Sequence, residues 1–244
     1  MYGMIMRVRK EDAMAHNQFA RRFLVLGVPG AVIAQQRAGE PRREKEMKEE
    51  EISPTEDLMR EHGVLKRALL VYGECLRRLE SKEDLPPQVV AGTANLVRRF
   101  IEDYHEKLEE EYLFPRFRKA AKLVDLVDVL YAQHKAGRRL TDQILQAAKS
   151  GSFAREETAR INLVQHMRLF IRMYEPHEAR EDTVLFPAFR EIVSPNEYDA
   201  LGEEFEKREH KLFGQEGFHK IVDEVAGFEK AVGIYDLAQF TPRL

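Results

Sequence analysis

HEKLEEEYLFP, from His105 to Pro115, and HEAREDTVLFP, from His177 to Pro187, carry His, Glu, Glu, Leu, Phe and Pro at the same places. The step from His105 to His177 equals the step from His62 to His134, so two further histidines share the offset of the two stretches. An internal repeat of this length reads as a helical hairpin used twice. Within each copy the two histidines are equally far apart, so a chain that runs up one helix and down the next should turn halfway, near residues 84 and 155. The breaks SKEDLPP and KSGSF fall close to both points, and the midpoint between His105 and His134, near residue 120, lies just past Pro115. In an up-down-up-down bundle all four histidines then sit at about one height.

Helical periodicity supports this on either side of the repeat. Ser53-Pro54-Thr55-Glu56 offers a capping serine, a proline for the first helical position and a glutamate for a capping box. The apolar stripe that follows, Leu58, Leu65, Leu69, Tyr72, Leu76 and Leu79, steps by three, four and seven, and His62 fills its gap. A second helix is predicted after Pro86-Pro87, a third over about Val124 to Ala148 and a fourth over about Thr158 to Glu191. The fourth stripe, Leu163, Met167, Phe170, Tyr174, His177, Glu181, Val184, steps by four and three without a miss, and Pro176 is expected to kink it. Ser194-Pro195-Asn196-Glu197 repeats the capping box and predicts a short helix to about Leu212, with another near Phe218 to Val232. The expected class is all-α: an up-down-up-down four-helix bundle over 53–193 with a C-terminal helical extension over 194–244, packed across the bundle end and covering that end or a dimer contact.

Composition narrows the function. Of 244 residues, Lys and Arg number 39 against 42 for Asp and Glu, a formal net charge of -3, so no basic field is available to hold a nucleic acid backbone. A single cysteine, Cys75, rules out both an internal disulfide framework and a cysteine-based zinc cluster. No apolar run approaches a membrane span. Residues 1–36 read as a leader: Arg21-Arg22 precede FLVLGVPGAVIA, Phe23 to Ala34, as in a twin-arginine export signal, although the residue usual between the arginines and Phe-Leu is missing. The expected location is the periplasm if this leader works and the cytoplasm if Met1 or Met14 stays in place, which the mature N-terminus decides. Residues 37–52, rich in charge, read as a linker.

Glu109 lies four residues after His105, and Glu181 four after His177, so each pair shares one helix face. Four imidazoles and two carboxylates turned toward one another inside a bundle are costly to bury unless something pairs them, and two divalent metal ions do so. Nitrogen and oxygen donors suit iron, manganese or zinc and disfavour copper(I) and iron-sulfur clusters.

At these residues the sequence resembles the hemerythrin-like family, whose non-haem di-iron centre lies in a four-helix bundle. The resemblance covers about Ser53 to Val193 and rests on the order His62, His105 with Glu109, His134, His177 with Glu181, and on Leu-Phe-Pro after each His-Glu pair. It implies two iron ions as cofactor, ahead of manganese or zinc. In oxygen-carrying members a further histidine lies four residues beyond the one matching His134, and here that position is Arg138. If Glu109 and Glu181 bridge, each metal has two histidines and exchangeable positions, which favours turnover of peroxide or dioxygen over reversible carriage. The alternatives are a module that binds dioxygen or nitric oxide, and an iron store without catalysis.

Around these ligands, Arg138 is expected either to bond a bridging carboxylate or a bound oxygen species, or to reach the bundle end or a surface acid. Glu106 and Glu178 directly follow His105 and His177, and either support the imidazoles or face a neighbouring helix. Tyr131 and Tyr174 each precede a histidine by three residues and are expected beside the centre. His166 lies about 16 Å from His177 by helical rise, too far to join it. His210 and His219 read as exposed histidines of the extension.

Overall fold

The computed structural model describes residues 52–243, and the leader and the charged stretch through Glu51 lie outside them. Among the described residues there is no strand. Helix α1 spans Pro54–Ser81; the Ser53 side chain accepts from the Glu56 amide, and Lys82, in the left-handed region at φ 55°, ends it. Helix α2 runs continuously over 87–119 through alternating α and π turns: Pro87–Leu96, Val97–His105, Glu106–Leu108, Glu109–Leu113 and Phe114–Lys119. Helix α3, Val124–Ser150, ends at Gly151 with φ 59°, where a residue with a Cβ would be strained. Helix α4 covers 157–192 as Glu157–Arg180, a π turn Glu181–Leu185 and Phe186–Ile192, and it remains helical through Pro176.

Two of the three π segments, Glu109–Leu113 and Glu181–Leu185, answer to the repeat. Pro115 and Pro187 have no N–H to donate and their rings crowd the carbonyl four residues back. In both copies the amide just before the proline reaches one residue further: Phe114 N–H donates to the Glu109 carbonyl, and Phe186 N–H to that of Glu181. Each helix is therefore widened at the residue that carries the carboxylate.

Helix α1 packs against α2 and α4, and α3 packs against the same two, so the four enclose one core. Helices α5, Pro195–Phe213, and α6, Gly217–Ala231, form the extension. They pack on α1 and α2. This corrects the expected position across the bundle end. Tyr198 bonds Thr55 near the start of α1, Arg67 bonds Glu229 midway, and Arg78 near its end donates to the Val232 carbonyl at 2.8 Å. The reason lies in a second apolar face. Helix α1 buries Val64 and Val71, which lie off its main stripe, and α2 buries Val97 and Ile101. That flank needs a cover, and α5 and α6 supply it, with Phe213 edge-on to both Phe100 and Tyr104.

Candidate metal centre

All six residues singled out by the repeat meet in the core. One ligand atom from each of His62, His105, Glu109 and Glu181 lies within 4.8 Å of the others, and the same holds for Glu109, His134, His177 and Glu181. Both carboxylates belong to both groups. Glu181 Oε2 lies 3.3 Å from His62 Nε2 and 3.1 Å from His177 Nε2. Glu109 Oε2 lies 3.3 Å from His134 Nε2 and 3.8 Å from His105 Nε2. Every imidazole therefore turns Nε2 inward.

Every Nδ1 turns outward to an acceptor on another helix. His62 Nδ1 meets Asp182 at 2.7 Å, His105 meets Glu61 at 2.6 Å, His134 meets Glu110 at 3.1 Å and His177 meets Gln133 at 2.9 Å. A carboxylate, or the amide oxygen of Gln133, accepts, so these contacts favour a proton on Nδ1 and direct Nε2 to the centre. The phenylalanine of each Leu-Phe-Pro stacks on a histidine of the other hairpin. Phe186 lies on His62 and Phe114 on His134, both with ring centroids 5.4 Å apart.

Buried atoms at the middle have nothing to bond. His62 Nε2, His134 Nε2 and both oxygens of Glu109 and of Glu181 lack a hydrogen-bond partner. Such groups in a dry interior cost free energy unless a ligand completes them. Burial, with the Glu181 charge beside it, pushes the Glu109 carboxyl well above the usual range. Against the effect of burial, His177 and His62 hold Glu181 well below that range. Burial also pushes His134 down to about 4 and, with His62 alongside, lowers His105, so both offer neutral rings. His62 goes the other way: despite burial, Asp182 and Glu181 raise it to about 10. The cluster thus holds protons where a cation would otherwise balance it. Imidazole nitrogen and carboxylate oxygen, with Cys75 buried elsewhere, fit iron, manganese or zinc.

The supporting residues divide. Arg138 reaches Glu106 at 2.6 Å and Glu110 at 2.7 Å, so it acts on His134 through Glu110 rather than on a bridging carboxylate. Tyr174 donates to Glu106 at 2.6 Å and sets its ring edge on His177. Gly137 makes room for that hydroxyl, since a Cβ there would stand 2.0 Å from it. Glu106 is committed to Tyr174 and Arg138 and Glu178 to Lys66 at 2.7 Å, so neither accepts from an imidazole. Tyr131 is not brought to the centre; its ring lies under Lys135 and Arg118. His210 is partly exposed opposite Glu206, and His166 lines a surface groove of about 620 Å³ between α3 and α4 with Gln133, Leu140 and Leu169.

The four Nδ1 partners escaped the sequence reading, yet the repeat marks them. Glu61 and Gln133 precede His62 and His134, Glu110 and Asp182 follow Glu109 and Glu181, and the members of each pair stand one repeat apart. Each acts on a histidine of a different helix, which linear spacing does not reveal.

Two curated relatives, each called an uncharacterized protein, come from Mycobacterium tuberculosis strain H37Rv and from Mycobacterium bovis. Each is 52% identical over 191 residues, which is 78% of this chain and 74% of the relative. No solved structure matches the chain. Residues 53–189 match the family described as hemerythrin HHE cation binding domain. That stretch contains all six converging side chains and every Nδ1 partner, and the chain belongs to the hemerythrin HHE cation-binding family.

Proposed function

We propose that the chain binds two iron ions and turns over peroxide or dioxygen there. One ion is assigned to His62, His105, Glu109 and Glu181, the other to His134, His177, Glu109 and Glu181. The observation that supports this most is the sharing of two fully buried carboxylates by both groups, with all four of their oxygens lacking a partner. Once bound, such a pair supplies Lewis acidity and redox change.

The chain's own residues prepare the place. Asp182, Glu61, Glu110 and Gln133 hold the four rings in one tautomer with Nε2 inward. Phe114 and Phe186, buried and stacked on His134 and His62, keep bulk water out. Arg138 is engaged with Glu106 and Glu110, and each group contains two imidazoles and the same two carboxylates. Matching ligand sets would leave two bound ions alike in their open positions, which suits turnover better than carriage at a single open metal.

The test is anaerobic reconstitution with ferrous iron, metal counting, and an oxygen-electrode trace on adding hydrogen peroxide, with Glu109→Ala as control. Two irons per chain and oxygen release that the variant lacks are expected. Two irons without release, but with a reversible optical change in air, would replace turnover by gas binding. Fewer than one iron per chain would remove the centre itself.

A further inference from the structure

A second group of carboxylates lies outside the six. Asp57 and Glu61 on α1 and Glu209 on α5 each bring an oxygen within 4.8 Å of the other two. Glu61 Oε2 is taken by His105, whereas Glu61 Oε1 is buried and has no partner. The Tyr104 hydroxyl on α2, 1% exposed, faces the same three acids and lies toward Glu61 without a well-aligned hydrogen bond.

The neighbouring positive groups account for only part of this charge. Arg60 reaches Asp57 at 3.4 Å from a half-exposed position over the Phe218 ring. Glu209 Oε1 accepts the Phe218 amide at the start of α6 at 3.0 Å. Each contact uses one oxygen. Asp57, Glu61 and Glu209 keep one oxygen apiece outside these contacts, beside the Tyr104 phenol. Nearly dry like charges held this close are unfavourable unless protons or a cation join them, and burial raises Asp57 to about 7 and Glu61 to about 8 where a cation would otherwise sit.

The repeat shows that the arrangement is particular to this flank. The positions equivalent to Asp57, Glu61 and Tyr104 in the second copy are Val129, Gln133 and Pro176, and none of them carries a charge. Helix packing alone therefore does not require these acids. The third carboxylate comes from the extension, which gives α5 a chemical role beyond covering the flank.

We propose that Asp57, Glu61, Glu209 and the Tyr104 hydroxyl form a site for a hard divalent cation of the calcium or manganese class, distinct from the His/Glu centre. All its donors are oxygens, which such ions prefer and which distinguish it from the imidazole-rich centre. The two are joined by Glu61: one oxygen would hold the cation while the other holds His105. Occupancy would draw charge away from the His105 hydrogen bond and so weaken its hold on that ring.

The experiment uses the full chain with the His/Glu centre first saturated with zinc, then titrated with Mn²⁺ while electron paramagnetic resonance follows the free ion. One additional Mn²⁺ per chain is expected, displaced by Ca²⁺. Asp57→Asn and Glu209→Gln should each weaken it at least about tenfold, and Tyr104→Phe less, with zinc content and thermal melt preserved. No binding beyond zinc would overturn the proposal, because protons then suffice among the acids. Undiminished binding in both Asp57→Asn and Glu209→Gln would overturn it too, placing the ion elsewhere. A zinc count below two would count against the His/Glu centre, while the response of Mn²⁺ binding to these variants would still judge this site.

Discussion

The two halves of the centre share a frame and differ in charge. In the first, His62 and His105 lean on Asp182 and Glu61; in the second, His134 and His177 lean on Glu110 and Gln133. Equivalent roles fall on equivalent positions of the repeat throughout, including Lys66 with Glu178 against Arg138 with Glu106, and Phe186 against Phe114. What the repeat preserves is the direction of each ring. The charge behind a ring is free to change, and it does so once among the Nδ1 partners, at Gln133. There the acceptor lines an open groove, while Glu61 is fully buried beside further acids.

The largest effect should come from removing what the halves share. Glu109→Ala is expected to weaken metal binding in both groups by more than about 100-fold, since even residues behind the ligands cost about 10- to 100-fold. His62→Ala should spare the His134/His177 group, and metal counting on both variants separates the outcomes. If Glu109→Ala still binds one ion tightly, the carboxylates are not shared. The same variant without metal should melt higher than wild type, because it loses a buried carboxyl whose two oxygens have no partner.

Next comes the cation behind each half. Arg138, 20% exposed, lies against Glu106, 1% exposed, whose carboxyl burial raises to about 8 although Arg138 opposes the shift, so Arg138→Leu should cost about 1–3 kcal/mol in urea unfolding through the bonds lost at Glu106 and Glu110. Lys66 is 51% exposed, and Lys66→Met should cost at most about 1 kcal/mol. Equal losses would mean that the two pairs are interchangeable.

A pH test sharpens the contrast further. Glu102 occupies the position in the first copy that Tyr174 holds in the second, and burial raises it to about 7 although Thr141 and Arg98 oppose the shift. An acid raised in the folded state binds its proton more tightly there, so it lowers stability progressively as pH climbs from about 4.5 to about 7. Glu102→Gln should therefore match wild type near pH 5 and exceed it by on the order of 2 kcal/mol at pH 8. Urea midpoints at the two values check this, and parallel curves would remove Glu102 as the cause. Tyr174 does not titrate in this range, because burial raises it further.

The smallest effect tests the Nδ1 asymmetry directly. Gln133→Glu should tighten the His134/His177 group by about tenfold and, if two irons bind as proposed, bring them closer in the Mössbauer spectra of a half-oxidised sample. Glu61→Gln should level them from the other side. Spectra that stay alike in wild type and both variants would show that the charge behind the rings does not matter.

Much of this was legible beforehand. The spacing of His62, His105, Glu109, His134, His177 and Glu181 follows from helical periodicity plus one repeat, both of which are linear properties. The helix starts at Ser53 and Ser194 were equally readable, because capping is local chemistry. Tyr131 was misjudged because three residues before a histidine is a place on a helix, whereas its contacts with Lys135 and Arg118 depend on the direction of the side chain. The π turns at Glu109 and Glu181 needed the prolines to be weighed against backbone pairing.

Sequence alone determined which residues point inward, since a helix of constant pitch turns spacing into a face. Only the tertiary structure decided which helix supplies each acceptor, that the two carboxylates are common to both groups, and that the extension brings Glu209 to Asp57 and Glu61. Those are contacts between segments far apart in the chain, set by how apolar faces pack, and no local periodicity encodes them.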